Sequence, residues 1–101
     1  ITEMRITLKF SGSVYNLMRQ SGYHPHETER EKDGESSFVR RLGSADYPRF
    51  HAYVSHGTEE VVINLHLDQK KPTYSGTSAH SGEYDGDLVE REAERIKQMA
   101  V

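Results

Sequence analysis

The stretch from Phe50 to Asp68 restricts what this chain can become more than any other, because it alternates as a β-hairpin. Phe50-His51-Ala52-Tyr53-Val54 sets an apolar residue at every second position around Tyr53 and His51. Val61-Val62-Ile63-Asn64-Leu65-His66-Leu67-Asp68 does the same, with Val62 the one apolar residue out of step. Successive side chains of a strand point to opposite faces, so a period of two marks a half-buried strand. Between the runs, Gly57-Thr58 suits a two-residue type II′ turn, which favours glycine first. That turn predicts Phe50 opposite Leu65, Ala52 opposite Ile63 and Val54 opposite Val61, every pair apolar. The other face then sets His51 opposite Asn64, Tyr53 opposite Val62 and Arg49 opposite His66. A slip of one residue mixes the two faces and is disfavoured. A longer loop with a bulge at Gly57 keeps both strands and changes their pairing.

The remaining elements follow from the same patterns. Met4-Arg5-Ile6-Thr7-Leu8-Lys9-Phe10 alternates and predicts a strand with Met4, Ile6, Leu8 and Phe10 inward. Ser13 is a helix N-cap, Val14, Leu17 and Met18 follow at helical spacing, and Gly22 ends a short helix in the left-handed region. Tyr23 packs back on that helix end. His24 to Glu35 is polar and reads as a surface loop, or as a short strand with Asp33-Gly34 as its turn. Ser37 to Leu42 is a further strand with imperfect alternation, and Gln69 to Asp85 is a long irregular segment. The chain closes in a helix with Asp87 as N-cap and Glu90 three residues on, a capping box. Leu88, Val89, Ala93, Ile96, Met99 and Ala100 form its apolar stripe, and Glu92–Arg95 and Glu94–Lys97 are ion pairs on or beside its polar side.

The order β-α-β-β-β-α predicts a single α+β domain over 1–101: a two-layer sandwich with a mainly antiparallel sheet and both helices on one face. With 101 residues the chain has the usual size for one domain and can bury a modest core. A net charge of −3 exerts no global pull toward nucleic acid or an anionic membrane. No apolar run reaches membrane-spanning length and no secretory apolar region is present, so a cytoplasmic setting is the default. The first residue is Ile, so a removed leading segment stays open. The absence of cysteine removes disulfides, thiol chemistry and Cys-ligated zinc.

The polar sheet face is where chemistry is expected. His51, His66 and Asp68 share it, and His80 comes from the adjacent long segment. Two imidazoles with a carboxylate form a ligand set for zinc, manganese or iron. The same groups, with His80, can act as general acid and base on a phosphate ester. No His-Glu-x-x-His spacing supports the metal reading, and no Gly-x-Ser-x-Gly elbow is present. Arg40, Arg41, Arg49, Lys70 and Lys71 are expected to form a basic rim, with Tyr47, Tyr53, Tyr74 and Tyr84 as aromatic faces. Basic groups among aromatics on an open sheet suit a nucleotide or single-stranded RNA. The candidate ligand-binding set is Arg49, Tyr53, Asn64, Lys70, Lys71 and Tyr84. A sheet edge or the polar face can also take a second copy of the chain.

From about Ser13 to Ala100 the helix–three strands–helix order resembles the layout of double-stranded-RNA-binding domains, used also by small bacterial toxin nucleases. The likeness is one of element order. No strand opens with the Gly-Ser-His of that toxin group, and the first strand is additional. The expected function is a small binding module that recognises an anionic ligand or a protein partner through the His/Tyr/Arg sheet face. The second expectation is a metal-assisted or His-dependent hydrolase of phosphate esters or RNA. No cofactor is specified by the sequence.

Overall fold

A computed structural model describes residues 3–26, 35–69 and 86–100. Their elements are β1 (Glu3–Lys9), α1 (Val14–Gln20), β2 (His24–Pro25), β3 (Glu35–Arg41), β4 (Arg49–His56), β5 (Glu60–Asp68) and α2 (Gly86–Met99). The five strands form one antiparallel sheet in the order β1-β5-β4-β3-β2. The fold is the expected α+β two-layer sandwich. Among the described residues no helix is long and apolar enough to cross a membrane.

The inner sheet face carries Ile6, Phe38, Phe50, Ala52, Val54, Val61, Ile63, Leu65 and Leu67. These pack in one core with Met18 and Tyr23 from the α1 region and with Val89, Ala93 and Ile96 of α2. Both helices therefore lie on that side. The buried stripe of α2 is the predicted one as far as Ile96, while Met99 is exposed at the helix end.

α1 has only seven residues and is held at both ends. The Asn16 amide donates to Ser13 Oγ at 3.1 Å. At the other end Gly22 takes φ 96°, the Gly22 amide donates to the Arg19 carbonyl, and the Tyr23 amide donates to the Met18 carbonyl at 2.9 Å. This is the Schellman arrangement, with buried Tyr23 folded back as its apolar clasp.

Four expectations are corrected. The β4–β5 register is displaced by two residues: Phe50 faces Leu67, Ala52 faces Leu65, Val54 faces Ile63, and His51 faces His66. The Gly57 amide donates to the Glu60 carbonyl at 2.7 Å, so Thr58 and Glu59 occupy the turn centre. Gly57 lacks the positive φ that a II′ turn requires there. A shift of two preserves both faces, which is why the alternation alone did not exclude it. Second, the element order gains a strand: the short-strand reading of the segment from His24 holds at His24–Pro25, which borders β3, and its expected turn at Asp33-Gly34 lies outside the described residues. Third, α2 starts at Gly86, which leaves Asp87 inside the first turn, where its carboxylate meets Arg91 at 3.2 Å. Fourth, Glu92 is 5 % exposed and faces the core, while Arg40 lies on the inner face within 3.5 Å of it. Tyr23 and Arg95 complete the Glu92 cluster, and this buried charge interrupts the alternation of β3 at Arg40.

Candidate functional site

The register brings the polar residues into cross-strand rows on the outer face. One row runs Glu3, His66, His51, Val39 and His24 across β1, β5, β4, β3 and β2. The next runs Arg5, Asn64, Tyr53 and Ser37. A third sets Asp68, Arg49 and Arg41 side by side.

His51 sits at the centre of this face and is only 6 % exposed. Its neighbours bury it. Tyr53 stacks on it at 4.3 Å between ring centroids, and His26 meets it edge-on at 5.4 Å. Tyr53 in turn meets His66 edge-on at 5.4 Å. The Ser37 hydroxyl lies 2.7 Å from His51 Nε2, and Asp68 Oδ2 lies 3.2 Å from His51 Nδ1. An ionised carboxylate only accepts hydrogen bonds, so in the neutral imidazole Nδ1–H donates to Asp68. Nε2 then accepts from the Ser37 hydroxyl. Ser37 is itself buried, at 3 % exposure. The hydrogen bond from His51 holds the Asp68 carboxyl below its usual range; burial opposes this, and the Arg49 hydrogen bond and charge add to it.

Asp68 also accepts from Arg49 Nε at 3.4 Å. The Arg49 guanidinium lies 4.5 Å from the Tyr47 ring centroid. Directly across the strand pair stands Arg41, whose counterion is Asp46 at 3.5 Å. Two arginines are therefore cross-strand partners at one end of the outer face, Arg41 paired with Asp46 and Arg49 with Asp68.

Of the expected site residues, His51, His66, Asp68, Arg49, Tyr53 and Asn64 share the outer face. Arg40 leaves the basic rim for the inner side. Lys70, Lys71, Tyr74, His80 and Tyr84 lie outside the described residues. Among the described residues no group of three or more His, Asp or Glu side chains is arranged to hold a metal ion. His51 uses both ring nitrogens within the protein, and His66 Nε2 meets Glu3 at 3.3 Å. Sequence reasoning missed Ser37 and His26. The signal for Ser37 was its even spacing from Val39 and Arg41 along β3, legible only once the β3–β4 register sets it opposite Tyr53.

Comparison of the chain with protein-family models, with curated proteins and with solved structures finds no match.

Proposed function

We propose that the chain is a binding module whose outer sheet face takes an anionic ligand at the Arg41–Arg49 end. The observation that carries this reading is the cross-strand pairing of those two arginines. Like charges directly opposite each other on a sheet cost stability. Asp46 and Asp68 offset part of that cost, and a phosphate or carboxylate seated between the arginines would reduce it further and gain charge-assisted hydrogen bonds. Arg49 bonds Asp68 through Nε and rests on Tyr47, which orients its planar fork. Tyr53, Asn64 and His66 continue from this end as a half-buried surface suited to a planar group attached to the anion, as in a nucleotide.

Titration of labelled protein with inorganic phosphate, then with a nucleoside monophosphate, tests this. Saturable amide shifts centred on Arg41, Tyr47 and Arg49 are expected, weakening as salt rises. Arg49→Ala should weaken binding about tenfold, the loss of one good charge-assisted contact. Absence of saturable shifts at those residues overturns the reading.

A second reading has its own observation. Ser37, His51 and Asp68 follow the order nucleophile, base and orienting carboxylate. In ester hydrolysis, Ser37 Oγ would attack the acyl carbon as its proton passes to His51 Nε2. The leaving alcohol would then take that proton, and water would release the acyl group. Against this stands the burial of Ser37, since a substrate must reach the attacking oxygen. A fluorophosphonate adduct on Ser37 would favour the hydrolase; an unlabelled Ser37 leaves the same three residues as a hydrogen-bonded brace across β3, β4 and β5.

A further inference from the structure

We infer that β1 is a self-pairing edge, to which a second copy of this chain adds its own β1 antiparallel about a twofold axis at Ile6. The inference stands apart from the ligand reading and rests on a different part of the molecule. The two sheet edges differ. β2 has two residues, one of them Pro25, which has no N–H to offer. β1 has seven residues and, among the described residues, pairs with β5 alone.

Backbone parity shows which groups β1 presents. The Phe10 amide donates to the Glu59 carbonyl, so Phe10 points its backbone groups toward the β5 side. In an antiparallel ladder this alternates. Met4, Ile6 and Leu8 therefore bond toward β5, and Glu3, Arg5, Thr7 and Lys9 present N–H and C=O at the open edge.

The side chains then select the register. Centring the twofold on Arg5 sets two guanidiniums opposite each other. Centring it on Thr7 pairs Arg5 with Lys9. Centring it on Ile6 pairs all of Glu3 to Lys9, with Glu3 opposite the partner's Lys9 and Arg5 opposite the partner's Thr7. Charged residues on an edge strand ordinarily guard against pairing. Here the guards have opposite signs at equal distances from Ile6, so they disfavour the neighbouring registers and favour this one. On the inner side Met4 meets the partner's Leu8, and Ile6 meets the partner's Ile6. Met4 and Leu8 are only partly buried in the single chain, and pairing covers them further. Glu3, although near His66, is 62 % exposed and can take the partner's Lys9 as well.

A contact of this length falls below the area of a standard stable interface, so the dimer should depend on concentration. Sedimentation of the full chain up to about 1 mM should show a monomer–dimer equilibrium. Lys9→Glu sets carboxylates opposite each other twice and should weaken dimerisation about tenfold. Glu3→Lys combined with Lys9→Glu restores the opposite signs and should restore the dimer. Both positions are exposed, and circular dichroism verifies that each variant keeps the fold. A chain that stays monomeric across this range overturns the inference. So does a dimer indifferent to Lys9→Glu, or one that the double swap fails to restore.

Discussion

Glu92 shows at residue scale how much one buried charge can organise. Its carboxylate accepts the Tyr23 hydroxyl at 2.7 Å and two Arg95 nitrogens at 2.9 Å, with Arg40 at 3.5 Å. Arg95 also donates to the Ser21 carbonyl. The end of α1, β3 and α2 thus converge on one side chain. Burial, then the Glu92 charge and hydrogen bond, push the Tyr23 phenol well above its ordinary range, so it remains a donor. Tyr23→Phe keeps the ring and removes that donor, and should cost about 1.5–3 kcal/mol, the range for a hydrogen bond to a charged group. The urea midpoint checks it, with an unchanged slope. Asp68 supplies a second prediction. Its carboxyl is held below the usual range in the folded chain, so the unfolded chain binds the proton more readily. The resulting stability is present above the ordinary carboxylate range and is lost as pH falls through the lowered folded value. Thermal midpoints from about pH 7 to about pH 3 should therefore fall less steeply for Asp68→Asn than for the wild type.

At the scale of elements, α1 is too short to persist alone, because a helix nucleus costs more than one turn returns. Its caps and its packing hold it. Gly22 is the position where conformation matters most, with φ 96°. A Cβ there would also meet Arg40 Nε at 3.3 Å and Cδ at 3.4 Å. Gly22→Ala should cost about 1 kcal/mol from the backbone alone, with any displacement of Arg40 in addition. Ser13→Ala should cost about 1 kcal/mol through loss of the N-cap. Chemical denaturation of the two variants measures both. The cap residues were legible because Ser13 and Gly22 act through local geometry. The buried role of Glu92 was not, because an acidic residue within an acidic helix resembles a solvent-facing one until its partners arrive from β3 and the α1 end.

For the whole molecule, the sheet core governs stability. Ile63 is fully buried in β5, opposite Ile6 and Val54. Ile63→Ala should cost about 2–5 kcal/mol, lost transfer energy plus an unfilled cavity. Thermal or urea unfolding checks the loss. The period-two patterns of β1, β4 and β5 determined which side chains enter this core, and they placed His51 and His66 together on the opposite face. That much is local, because alternation in a strand follows from its backbone. Pairing is not local. Moving β5 by two residues against β4 exchanges one set of apolar pairs for another of similar worth and leaves both faces intact. The choice between them belonged to the turn, the third and fourth strands and the helices above. It set His51 opposite His66, brought Asp68 and Ser37 to its two nitrogens, and set Arg41 against Arg49.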